Sequence, residues 1–138
     1  MVYPARLVPD SDATVLATFP DFPEAATFGA NVAEALVQAQ DALLAVIAAR
    51  IDDGEDVPLP SPPGDDLHAV ELPALAEAKI LLWRAMRQGN VSKVELSRRI
   101  GWELPQVERL LDPYDPSPFN DLETALRALG KRIALALS

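Results

Sequence analysis

Residues able to support chemistry are few in kind. The 138-residue chain carries 21 Asp and Glu, 12 Lys and Arg, one histidine and no cysteine. Without thiols there is no disulfide framework, thiolate zinc site or cysteine nucleophile, and His68 alone makes no histidine cluster. Oxygen-ligand chemistry remains, and it needs several carboxylates converging from neighbouring elements. The apolar segments cannot supply them: Val2 to Val8 holds only Arg6 as a charged residue, Ala13 to Phe19 holds none, and Leu67 to Leu72 holds His68 and Glu71. His68 has no candidate nucleophile and is expected to face solvent. The run DDGED, Asp52 to Asp56, reads as a solvated helix exit. No catalytic residue, metal site or cofactor is expected. The stretch with most chemical character is FPDFPEAATFG, Phe19 to Gly29. Its Asp21, Phe22, Pro23 and Glu24 form a stiff, acidic, aromatic corner suited to holding a basic partner, with Phe19 and Phe28 expected under a helix.

The elements that must position this corner follow from patterning. Val2 to Val8 and Ala13 to Phe19 are rich in β-branched and aromatic residues around a PDSD turn, and AATFG is long enough for a third strand. Asn31 with Glu34 predicts a reciprocal cap on a helix whose Val32, Leu36, Ala39, Leu43 and Ile47 line one face. Gly54 ends it, proline-rich acidic chain follows, and Leu67 to Leu72 alternates as a fourth strand. Residues 1–73 therefore predict an α+β unit of order βββαβ.

Residues 74–138 predict an all-α unit. Leu75, Ala78, Leu82 and Met86 stripe one helix. Ser92 with Glu95 caps the next, Leu96 and Ile100 face inward, Gly101 turns the chain, and LPQVERLL rebuilds an apolar face with Val107 and Leu110 or Leu111. Two short helices about a glycine turn are the helix-turn-helix, with a helical hairpin that never meets DNA as the plainer alternative. In the DNA-binding reading, Lys93, Glu103, Gln106, Glu108 and Arg109 face the duplex, Gln106 toward adenine and Arg109 toward guanine or a phosphate. Asn120 with Glu123 is expected to cap a last helix, and IALAL after Gly130 has the length of a strand that pairs with a second copy, or continues as helix.

Charge divides along the same line. Residues 1–73 hold 13 acids and two bases, a net of -11, and residues 74–138 hold eight acids and ten bases, a net of +2. The first part suits a basic partner and the second is compatible with DNA, bound through paired half-sites in a dimer or higher oligomer. No apolar run is expected to span a membrane, because Asp41 and Arg50 interrupt the richest one, and MVYPARLVPD lacks the order of a signal peptide. A cytoplasmic location is the expectation.

Taken together, the two halves resemble the HicB family, antitoxins of type II HicAB toxin-antitoxin systems. The resemblance rests on Phe19-Pro20-Asp21-Phe22-Pro23, Thr27-Phe28-Gly29, Glu34-Ala35, the DDGEDVPLPSP exit and LHAVEL in residues 3–73. In residues 92–133 it rests on Pro105-Gln106-Val107, Arg109-Leu110-Leu111-Asp112 and Ala128-Leu129-Gly130-Lys131-Arg132, as in the branch with an Xre-type helix-turn-helix. Many members have Gly-Cys where this chain has Glu24-Ala25, and an acid where it has Ala30. The resemblance implies a partial RNase H-like fold without nuclease activity. It further implies masking of a small basic RNA-cleaving toxin, HicA, by residues 1–73 and repression of the operon's own promoter by residues 74–138. The alternative is a stand-alone helix-turn-helix regulator whose N-terminal part senses a ligand or oligomerises.

Overall fold

The computed structural model describes residues 1–138. Strands β1 (Val2–Pro9), β2 (Val15–Phe19) and β3 (Phe22–Gly29) lead to helix α1 (Val32–Asp52), strand β4 (His68–Glu71) and helices α2 (Ala74–Gln88), α3 (Lys93–Ile100), α4 (Leu104–Leu111) and α5 (Phe119–Ala128). All strand pairs are antiparallel in the order β3-β2-β1-β4. Strand β1 is shared lengthwise. Its first half pairs with β4 (Tyr3 opposite Val70) and its second half with β2 (Arg6 opposite Thr18). The result is a mixed α/β architecture, a sheet with one covering helix followed by four helices.

The Phe19–Gly29 stretch is built differently from the expected strand connection. Phe19 pairs directly with Phe22 across a two-residue Pro20-Asp21 turn, and Thr18 then pairs with Ala26, so Pro23, Glu24 and Ala25 bulge out of the ladder. A bulge is where a strand tolerates proline, since no ladder hydrogen bond is required of Pro23. β3 thus begins at Phe22. Phe22 is fully buried beneath α1 against Tyr3, with ring centroids 5.2 Å apart. The bulge reverses the expected assignment of the two rings: Phe28, predicted to pack under the helix, pairs with Leu16 and is 51% exposed on the sheet's other side.

Helix α1 begins at the expected cap, with the Glu34 N–H donating to Asn31 Oδ1 at 2.9 Å, but the expected return bond from the Asn31 N–H to the Glu34 carboxylate is not made. Its buried stripe is Ala35, Ala39, Leu43, Ile47 and Ile51, one position off the predicted start, which leaves Val32 47% exposed. Gly29 explains the shift. A side chain there would lie 2.2 Å from the Ala35 backbone nitrogen, so strand and helix meet main chain to main chain at Ala35. In length and mean hydropathy (1.5) α1 is long and apolar enough to cross a membrane, which corrects the expectation that no segment is. Its stripe instead packs on the sheet.

In the helical part Leu82, Met86, Leu96, Val107, Leu110, Leu111, Leu122 and Leu126 are buried, and one contiguous cluster of buried side chains runs from Tyr3 to Leu126. Glu95 N–H donates to Ser92 Oγ, but the Glu95 carboxylate turns to Arg98 and Arg99 instead of back to the cap. Helix α5 starts at Phe119 with Pro118 as its cap, so Asn120 is inside the helix, accepting from the Thr124 hydroxyl through its carbonyl. The proline already holds the φ of a helix entrance, which moves the start ahead of Asn120. Residues 131–138 adopt neither strand nor helix, and Leu135 and Leu137 are exposed.

Replacing Gly29 by alanine is expected to destabilise the chain by about 1–3 kcal/mol, because two backbones must part to admit the methyl group. Urea unfolding of Gly29→Ala measures it, with Ala30→Gly as a neighbouring control.

Candidate functional site

Two surfaces gather the residues singled out above. At the first, Arg50 in the last turn of α1 grips Glu24 with two hydrogen bonds, Nε to Oε2 at 2.7 Å and Nη2 to Oε1 at 2.8 Å. Its guanidinium lies 4.7 Å from the centre of the Phe22 ring and also donates to the Asp56 carbonyl. The paired guanidinium holds the Glu24 carboxyl below its usual range, and the carboxylate raises Arg50 in turn. Asp21, partly exposed, accepts from the backbone N–H of Ser61 at 2.9 Å and from its hydroxyl. The turn and bulge are therefore tied to the start and the middle of the chain between α1 and β4.

That chain is itself strapped to α2. Trp83 Nε1 donates to the Glu55 carbonyl at 2.8 Å, Arg84 to that of Val57 at 2.6 Å, and Arg87 to that of Gly54. Tyr3 adds a bond from its hydroxyl to the Pro58 carbonyl at 2.7 Å, and burial pushes its phenol well above the ordinary range.

Of the four predicted corner residues, Asp21, Pro23 and Glu24 reach the surface. Phe22 does not. Its ring fills the space between Tyr3 and Arg50, which corrects its role as an exposed anchor: it shapes the corner from below. Sequence reasoning missed Arg50 and Ser61, whose only signal was that Arg50 is the lone base between Arg6 and residue 73. His68 is exposed at the start of β4.

The second surface is α3–Gly101–α4. Gly101 takes the left-handed conformation (φ 77°), and the Ser97 hydroxyl donates to the Trp102 carbonyl, closing the turn. Lys93, Glu108 and Arg109 come together on the wall of a cleft of about 700 Å³, faced by Ala49 and Asp52 of α1. Glu103 and Gln106 sit apart from it at the start of α4. The Gln106 side-chain oxygen accepts from the Glu103 N–H at 2.9 Å. To the expected contact with adenine the structure adds a capping bond through the amide oxygen, which keeps a second lone pair. Gln106 is a helix cap here.

With this geometry in hand, the chain can be compared with known proteins. A family model described as the HicB-like antitoxin of bacterial toxin-antitoxin systems matches residues 2–81. The chain belongs to that family. Similar full-length HicB antitoxins include one from Escherichia coli K12, 36% identical over 137 residues and 99% of both chains. "Antitoxin HicB 2" of Photorhabdus laumondii is 36% identical over 98% of this chain and 95% of its own. The HicB antitoxin of Pseudomonas fluorescens Pf0-1 is 38% identical over 85% of this chain and 81% of its own. The HicB-like match covers the sheet, α1, the strap and the first half of α2, so the bulge and its Arg50 clamp lie inside it.

Because its folded carboxyl titrates low, Glu24 contributes stability above the ordinary glutamate range and loses it as pH falls through the lowered value. Glu24→Gln is expected to be less stable than wild type at pH 7 by up to about 1 kcal/mol, the side chain being half exposed. The difference should shrink as pH falls below the ordinary glutamate range, as urea midpoints across a pH series would show.

Proposed function

We propose that this HicB-like antitoxin neutralises a small, basic, RNA-cleaving toxin of the HicA kind through residues 1–73, and represses its own operon through residues 74–138 acting as a helix-turn-helix module. In this reading it is a cytoplasmic, non-enzymatic protein whose first part has a degenerate RNase H-like fold.

The observation that carries the toxin half is the state of the acids. Of the 13 in residues 1–73, only Glu24 and Asp56 have a cation within 4.0 Å. Exposed Asp10, Asp12, Asp41, Asp52, Asp53, Asp65 and Asp66 are left to project a negative field, which steers and holds a basic partner. Asp21, Pro23 and Glu24 offer that partner a corner already ordered by Arg50 and Ser61. Little entropy is then lost on docking.

The DNA half is supported by the tight Gly101 turn and by Lys93 and Arg109 on one wall. A net charge of +2 over residues 74–138 predicts modest affinity for each copy, so pairing of two or more copies is part of the proposal, with residues 133–137 as the strand that joins them.

Coexpression with the product of the adjacent gene, followed by copurification and a promoter-binding assay with and without that product, tests both halves. The expected result is a salt-sensitive complex that abolishes RNA cleavage; an uninhibited neighbouring nuclease would sink the toxin half. Asp21→Ala should weaken inhibition several-fold without changing promoter affinity. Arg109→Ala should do the reverse, lowering promoter affinity roughly 5- to 100-fold, as expected for loss of a base contact.

A further inference from the structure

Lys79 is a charged side chain buried completely, in the middle of α2. Its ammonium has no carboxylate within ion-pairing distance; it donates to the carbonyls of Arg109 at 2.9 Å and Asp112 at 2.7 Å, and to Ser117 Oγ at 2.8 Å. Three protons meet three acceptors. Ser117 in turn donates to Asp115 at 2.7 Å, and the Tyr114 N–H donates to the Asp112 side chain at 3.0 Å. Burial lowers the Lys79 ammonium below the usual lysine range, while Asp115 and Asp112 nearby oppose that effect.

The acceptors explain why an ammonium is retained in so dry a place. Helix α4 has no glycine at its C-terminal end: Asp112 leaves it extended (φ -85°, ψ 112°), and Pro113, Pro116 and Pro118 follow, none with an N–H to give. The last carbonyls of α4 therefore rely on short local turns, Asp112 N–H to the Arg109 carbonyl at 3.2 Å and Asp115 N–H to the Asp112 carbonyl at 3.1 Å. Lys79 adds a second donor to both from a different helix, and its charge sits at the negative end of the α4 dipole. Removing the ammonium would take one of two donors from each carbonyl and leave the buried Ser117 hydroxyl oxygen without its donor.

We infer that Lys79 is the positioning residue of the α4 surface, fixing the tilt and rotation of α4 from behind by gripping the backbone of Arg109, whose side chain stands exposed on the cleft wall. The inference rests on the reading of that wall as a DNA contact. Lys79 itself touches no DNA. A side chain that reads a base edge needs its own root held still, and here the root is held by a bond to the main chain of the same residue.

The test uses the full chain carrying Lys79→Met, which keeps the apolar stem and removes the three donors, with Ser117→Ala as the milder variant. Measurements are made where thermal melts show wild type and variants folded. For Lys79→Met, promoter affinity is expected to fall about ten-fold, with the slope of affinity against salt unchanged because no phosphate contact is lost. Amide hydrogen exchange should rise in residues 110–118 and stay at wild-type levels in β1 and β2, and copurification with the toxin should persist. Ser117→Ala should move affinity and exchange the same way by less, and it decides the matter if Lys79→Met does not fold. Unchanged affinity in folded Lys79→Met, or unchanged exchange in residues 110–118, would overturn the inference, as would a flattened salt slope, which would make Lys79 a phosphate contact. Wild type that binds no promoter DNA would instead overturn the reading of the wall. Exchange in Lys79→Met would then still report whether Lys79 holds α4.

Discussion

Arg50 joins the start of β3, 26 residues earlier in sequence, to the segment leaving α1. Its carboxylate partner is in the β3 bulge, the ring beneath it is the first residue of β3, and the carbonyl it reaches belongs to the segment leaving α1. A bulge on an edge strand has few ladder bonds of its own, and an acidic, proline-rich exit has none. A planar guanidinium can serve both at once because its donors lie in a rigid fork while its face stacks on an aromatic ring. The corner proposed to meet the toxin keeps its shape through this side chain together with the bonds from Ser61 to Asp21.

The same device recurs toward the helices. Trp83, Arg84 and Arg87 hold the carbonyls of the strap, and Lys79 holds those at the end of α4. In each case a donor on one of the long helices meets backbone carbonyls of an irregular segment or helix end. Together they make α2 a spine with the strap on one side and α4 on another.

Much of the architecture was legible because periodicity and capping are local. Asn31, Ser92 and Gly101 mark their helix boundaries through residues within a few positions, and the order βββαβ followed by four helices matches the observed elements. What was not legible depended on long-range pairing. The bulge that buries Phe22 and exposes Phe28 is set by the register between β2 and β3, which the residue types alone do not encode. Lys79 has the same lesson for the sites. In sequence it is one base on a helix also carrying Glu77 and Arg84; only the proline-broken end of α4, some thirty residues on, shows why it is buried. The capping bond of Gln106 to Glu103 was not legible either, because a cap and a base reader use the same amide.

The strap between α1 and β4 is held almost wholly by its main chain: the carbonyls of Gly54, Glu55, Val57 and Pro58 carry its bonds to Arg87, Trp83, Arg84 and Tyr3. A segment gripped by its carbonyls imposes little on the identity of its outward side chains. Glu55 is exposed and without a cation partner, and its side chain can change sign or size without unlatching the strap. The fold thereby separates a part that must stay fixed from a charge that is free to drift, and a lineage could retune how strongly this face attracts a partner without rebuilding the protein beneath it.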